Sequence, residues 1–218
     1  MKLEGAKINF LGDSITEGSG ASAQENGYVA VLGRKFGLAE ARNYGIGGTR
    51  FARQATPSAN PRFDLDFCKR VYEMDPDADA VVIFGGTNDF GHGDRPIGTP
   101  EDRTVETFYG ACHTLFSTAI TLYPGRPIVV LTPLHRLSED NPAGDGKKDP
   151  TLPLSGYREI IKTVAEYYSL PVLDLWAVSG MQPKVPVIRE KFMPDGLHPS
   201  DAGHAILAER IGNFLLSL

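Results

Sequence analysis

The sequence predicts an α/β fold in which helices cover both faces of an open parallel sheet of about five strands. Three features lead to it. Short apolar runs alternate with longer amphipathic stretches along the 218 residues. Two of the runs, Ala80–Phe84 (AVVIF) and Ile128–Thr132 (IVVLT), are apolar throughout, as strands are when both faces are buried. Small residues, amides, acids and a histidine follow the runs at their C-terminal ends, the edge at which open parallel sheets bind ligands.

Each element follows from its own pattern. Lys7–Leu11 (KINFL) reads as the first strand. Tyr28–Phe36 reads as a helix, because Tyr28, Val31, Leu32 and Phe36 recur at helical spacing. Ala41–Tyr44 is a weak second strand, and Phe63–Met74 is expected to be helical. The third strand, Ala80–Phe84, precedes a long helix over Asp102–Tyr123. Ile128–Thr132 is the fourth strand, Leu154–Tyr168 a helix, and Pro171–Leu175 (PVLDL) a short last strand. Pro199–Leu216 closes the chain as a helix carrying Ala205, Ile206, Leu207, Ile211 and Leu215. No repeat or linker interrupts this order, so residues 1–218 read as one domain with one sizeable core. Pro133–Pro153 stands apart as a polar segment rich in Pro and Gly; loops of that length are usually functional or disordered, and a lid and an oligomer contact both remain open.

Composition removes several functional classes. The formal net charge is −5, and the one basic pair, Lys147-Lys148, lies in a polar loop, so the footprint of a nucleic-acid binder is missing. The two cysteines, Cys68 and Cys112, sit in apolar helix-like surroundings and read as packing residues. The first ten residues, MKLEGAKINF, carry Glu4 and no long apolar region, which is unlike a secretory signal, and no run approaches the roughly 20 residues that span a membrane. The expected location is the cytoplasm.

The strand ends carry the chemistry. They read Gly12-Asp13-Ser14, Gly45-Ile46-Gly47-Gly48-Thr49, Gly85-Gly86-Thr87-Asn88-Asp89 and Thr132-Pro133-Leu134-His135, with Asp195-Gly196-Leu197-His198-Pro199 before the last helix. A nucleophilic serine needs a base, most often a histidine oriented by an acid. Of five histidines, His113 lies within a helical pattern and His204 beside Gly203 on the last helix, both structural positions. His92 and His135 lie in strand-end loops without a nearby acid in sequence. His198 has Asp195 three residues before it, with Gly196 for a tight turn between them. Acyl transfer also needs donors for a developing oxyanion, and the Ser14 N–H, the Gly48 N–H and the Asn88 amide are candidates.

These segments resemble the blocks of the SGNH hydrolases, also called the GDSL esterase/lipase family, in motif order over nearly the whole chain. G-D-S with Ser14 is similar to the nucleophile block, N-Y-G-I-G-G to the glycine block, G-T-N-D to the asparagine block and D-G-L-H to the acid–base block. The resemblance implies a three-layer α/β/α, flavodoxin-like domain with a five-stranded parallel sheet and no metal or organic cofactor. It implies Ser14 as nucleophile, His198 as base and Asp195 as its orienter, with Ser14, Gly48 and Asn88 forming the oxyanion hole. The expected reaction is hydrolysis of a small-molecule carboxylic ester through an acyl-enzyme. Arg50, Phe51, Phe90, His92, His135 and Arg136, all near the same edge, are the candidate substrate-binding residues. Arg50 and His92 favour short acyl groups on a sugar or other polar alcohol over the longer chains of a lipase or lysophospholipase. A homo-oligomer is left open.

Three other readings compete. Gly18-Ser19-Gly20-Ala21-Ser22-Ala23 fits a G-x-G-x-x-A nucleotide motif, although Gly12–Glu17 separate it from the strand. Asp13, Asp89, Asp195 and His198 could in principle serve a metal-dependent hydrolase. A non-catalytic carbohydrate-binding protein would leave the full Ser, Gly, Asn, Asp and His set without purpose.

Overall fold

Five parallel strands form one sheet in the computed structural model, which describes residues 1–218. They are β1 (Lys7–Gly12), β2 (Glu40–Gly45), β3 (Ala80–Phe84), β4 (Ile128–Leu131) and β5 (Val172–Leu173), in the order β2-β1-β3-β4-β5. Side chains alternate between the faces of a strand, and here both faces are covered. Leu11, Val81, Ile83 and Val130 join one buried cluster, while Ile8, Phe10, Val82, Phe84, Val129 and Leu131 join the other. Helices α3 (Phe67–Arg70), α5 (Phe108–Leu122) and α6 (Leu154–Tyr167) close the first cluster, with α4 (Thr87–His92) at its edge. Helices α2 (Tyr28–Phe36) and α9 (Asp201–Leu216) close the second. The result is a three-layer α/β/α fold.

Where sequence pattern and structure part, side-chain bonding to the backbone decides. The helix expected from Asp102 begins only at Phe108. Asp102 accepts from the Thr99 N–H at 3.1 Å and the Thr107 hydroxyl at 2.8 Å, and Thr107 caps α5 through the Gly110 N–H. The helix expected over Phe63–Met74 is broken into pieces. Asn60 caps a 3-10 turn at Pro61–Asp64, and Asp66 caps α3 through the Lys69 N–H. The last strand is two residues long, because Asp174 turns into a short helix, α7 (Leu175–Val178). Two helices lacked an apolar repeat to announce them: α4, whose helical residues are mostly small or polar, and α8 (Pro186–Phe192), which starts on a proline. Cys68 and Cys112 are buried and unbonded to each other.

One buried carboxylate ties the site-bearing loops to this frame. Both oxygens of Asp89 on α4 accept backbone bonds at 2.9 Å, from Phe51 N–H and Ala52 N–H. Burial pushes the Asp89 carboxyl up to about 7, against the lowering effect of those two donors. Asp89→Ala leaves two buried N–H groups without an acceptor and should cost about 2–4 kcal/mol of stability. Urea unfolding of the variant beside the parent measures this, and a loss under about 0.5 kcal/mol would remove Asp89 from its structural role.

Candidate active site

Register sets where the chain can assemble a site. Gly12 is level with Gly45 on one side and with Phe84 on the other. Ser14, Gly47-Gly48 and Asn88 therefore leave the ends of three adjacent strands and reach one place. The Gly47 backbone packs beside Ser14: a Cβ built on Gly47 would stand 3.5 Å from the Ser14 Cβ.

Ser14 opens a one-turn helix, α1 (Ser14–Glu17), capped by the Asp13 carboxylate, which accepts from Ile15 N–H at 3.0 Å. Burial pushes the Asp13 carboxyl up to about 6, partly offset by that bond. As the first residue of the turn, Ser14 has an N–H with no acceptor inside the chain. Its Oγ lies 2.9 Å from His198 Nε2, although the two residues are 184 positions apart. His198 Nδ1 lies 2.7 Å from Asp195 Oδ2. The other Asp195 oxygen accepts from Leu197 N–H at 2.8 Å and His198 N–H at 2.7 Å. Burial opposes the Asp195 charge, but these bonds outweigh it and hold the carboxyl below its ordinary range. A carboxylate at Nδ1 calls for a proton there, which leaves Nε2 free to accept from the Ser14 hydroxyl.

The loop carrying Asp195 and His198 is braced from two sides. Leu137 N–H donates to Gly196 O at 3.0 Å. The Gly18–Gly20 turn lies on the other side, with Gly20 packed against Pro199 O and the His198 Cβ. That turn, which opens the segment weighed above as a competing nucleotide motif, serves here as a support. His204 is fully buried and holds the turn through Nε2 to Ser19 O at 3.1 Å, while its Nδ1 accepts from Tyr28 N–H at 3.2 Å. No group of three His, Cys, Asp or Glu side chains is placed to hold a metal ion.

Opposite the imidazole lie the hydrogen-bond donors. Gly47 N–H is taken by Glu17 Oε2 at 2.7 Å, and Glu17 is in turn paired with Arg62. Gly48 N–H has no acceptor inside the chain. Gly48 has φ +76°, and the Phe63 ring occupies the space a side chain would need. Asn88 is buried, and its Nδ2 donates to Thr49 O at 3.0 Å, which leaves one amide hydrogen uncommitted. Burial of His113 beside Tyr168, with Nδ1 at 3.2 Å from the tyrosine hydroxyl, keeps that histidine in the helical core.

The expected substrate-binding residues are redistributed. Phe51 and Phe90 are fully buried in the core cluster, Phe51 packed against Phe67 and Phe108 and Phe90 against Tyr157, so neither can line a pocket. Arg50 is 2% exposed and turned inward to Asp64 and His92. Arg136 is buried against Phe90 and paired with Asp145. His135 is bound to Glu139 at 2.8 Å and lies 3.8 Å, centre to centre, from the Trp176 ring. His92 borders a cleft of about 540 Å³ between His92–Ile97 and Lys147–Thr151. The long polar loop thus forms one wall of a cleft beside Asn88, to which His92 Nε2 stands at 3.2 Å.

A family model described as GDSL-like lipase/acylhydrolase matches residues 10–206. The chain belongs to that family. Among solved structures similar to this GDSL-like chain, one crystal structure is 33% identical, with a TM-score of 0.85, and the match covers 100% of this chain and 99% of that one. A protein from Lactobacillus plantarum is 28% identical, with a TM-score of 0.82 over 99% of this chain and 98% of that one. A carbohydrate acetylesterase family member from Sinorhizobium meliloti is 17% identical, with a TM-score of 0.65 over 97% and 98%, a likeness of fold. Comparison with curated protein sequences finds no match. No helix is long and apolar enough to cross a membrane.

Several side chains that hold this GDSL-like site escaped the sequence reading. Glu17, Arg62, Phe63 and Asp64 lie outside the four quoted segments, and only Glu17 sits close enough to one of them to be suspected. Glu139 is another. It anchors the segment that leads to Leu137, accepting from His135, Arg136 N–H, Gln182 and, at 2.7 Å, Lys184. Burial opposes its charge, but those donors outweigh it and hold the carboxyl at about 2. A depressed folded-state pKa stabilises the fold above the unfolded value near 4.5, and that stabilisation is lost as pH falls towards 2. The melting temperature of the parent should therefore exceed that of Glu139→Gln most at pH 6–7, with the gap narrowing between about pH 4.5 and 2. A gap that stays constant across that range would contradict a charged, paired Glu139.

Proposed function

We propose that this chain is a serine esterase that hydrolyses carboxylic esters through an acyl-enzyme. The observation that carries the reading is the unbroken line from Ser14 Oγ to His198 Nε2 at 2.9 Å and from His198 Nδ1 to Asp195 Oδ2 at 2.7 Å. Ser14 Oγ attacks the ester carbonyl as His198 Nε2 takes its proton. The carbonyl oxygen becomes an oxyanion, for which the unengaged Ser14 and Gly48 N–H groups and the spare Asn88 hydrogen are the donors. His198 passes the proton to the departing alkoxide, leaving Ser14 acylated and an alcohol free. A water then gives a proton to His198 and attacks the acyl carbon; Ser14 regains the proton and the acid leaves. Asp195 keeps the imidazole in one tautomer and balances its charge while it is protonated.

The cleft beside His92 supports a small polar alcohol as the leaving group. Asp94, Arg95, Lys147, Lys148 and Asp149 line it beside His92, charged groups that a site for a long acyl chain, mainly apolar, would not carry. A fold shared with a carbohydrate acetylesterase family member is consistent with an acetylated sugar or similar ester. Ser14→Ala should lower kcat by roughly four orders of magnitude or more and abolish labelling by a fluorophosphonate. Equal turnover by parent and variant would overturn the serine-esterase reading. Against p-nitrophenyl esters of rising chain length and acetylated sugars, kcat/KM should peak at acetate; a maximum at eight carbons or beyond would replace the polar ester with a lipid one.

A further inference from the structure

The groups behind the Asn88 amide form a continuous hydrogen-bonded chain, with Arg50 and Asn88 buried and Asp64 and His92 half-buried. Arg50 Nη2 donates to Asp64 Oδ1 at 3.0 Å and to Phe63 O at 2.9 Å. Its Nη1 lies 2.8 Å from His92 Nδ1, and His92 Nε2 lies 3.2 Å from Asn88 Oδ1. Asn88 Nδ2 donates to Thr49 O. A guanidinium can only donate, so His92 Nδ1 must accept and the imidazole proton must sit on Nε2. An Nε2–H needs an acceptor, which fixes the Asn88 oxygen on that side, and Thr49 O needs a donor, which fixes the nitrogen on the other. Every atom of the chain then has one consistent role. Burial, followed by the adjacent Arg50 cation, lowers the His92 pKa to about 4, so the imidazole is neutral near pH 7.

Resting on the serine-esterase reading, we propose that Arg50 and His92 are positioning residues for the oxyanion donor: the chain Asp64–Arg50–His92–Asn88 holds the Asn88 amide in one orientation and draws electron density from its oxygen. A cation at one end makes His92 a stronger donor, and a carbonyl that accepts a stronger bond makes its own N–H groups more acidic. The free amide hydrogen thereby becomes a better partner for an oxyanion than for a neutral ester carbonyl, which lowers the barrier rather than tightening ground-state binding. Phe63 links both donors: its ring fills the space at Gly48, stands 6.2 Å from the His92 ring, and its carbonyl accepts from Arg50. The buried Arg50 serves the site without touching substrate.

The test is a double-mutant cycle between His92 and Asn88, read on the substrate with the best turnover. His92→Leu removes both bonds and should lower kcat about 10- to 100-fold with KM within about twofold, less than the hundred- to thousandfold loss expected on removing an oxyanion donor such as Asn88 itself. His92→Gln, which carries an acceptor and a donor on one planar group, should recover at least about tenfold of that loss. In an Asn88→Ala background, adding His92→Leu should change kcat by less than about threefold, because the group it positions is gone. Thermal melts show which variants are folded, and the Gln variant keeps the comparison available if Leu fails to fold. Additive losses in the cycle, a rise in KM at constant kcat, or no rescue by Gln would overturn the positioning role. Ser14→Ala is assayed alongside: retained turnover overturns the esterase reading and the positioning role with it, whereas lost turnover with an additive cycle overturns the positioning role alone.

Discussion

The level alignment of three neighbouring strands is the constraint on which the rest of the molecule depends. Because Gly12, Gly45 and Phe84 end at one height, the segments that follow them need only a few residues to meet. Slipping one strand by a single residue would turn every one of its side chains to the opposite layer, and both layers are packed with apolar side chains. The cores therefore hold the register, and the register holds the site. Nothing local to Ser14, Gly48 or Asn88 could place them together without it.

Above that edge, polar side chains act mostly on the backbone of other segments. Asp89 holds residues 51–52, Glu17 holds Gly47, Asp195 holds its own loop, and His204 holds the turn beneath His198. Each such bond fixes a loop that has no regular structure of its own. Among the groups they frame, the Ser14 and Gly48 N–H groups are left without an acceptor inside the chain, a cost in a folded chain that a bound acceptor would offset.

How much of this was legible in the sequence depends on range. Ala80–Phe84 and Tyr28–Phe36 were readable to the residue, because uniform apolarity and helical spacing are local signals. The four segments at the strand ends were readable because each carries its small and polar residues within a few positions. Phe51 and Phe90 misled, since a place beside a strand end does not say whether a side chain faces the site or the core. Arg50 misled for the same reason: a cation near a site suggests a ligand until Asp64 and His92 are seen to claim it. Contacts between segments well apart in sequence, such as Gly48 with Phe63 or Leu137 with Gly196, leave no periodic trace along the chain.

The 184-residue separation between Ser14 and His198 carries a consequence for how the protein comes into being. During synthesis Ser14 emerges well before His198, so on the proposed mechanism a product that stops short of His198 cannot hydrolyse an ester. The same holds on the way down: on that mechanism, a clip in an intervening loop that lets Ser14 and His198 part silences hydrolysis. On the proposed mechanism, hydrolytic rate is thus a measure of closure of the whole chain, one that a spectroscopic signal averaged over its helices would not provide.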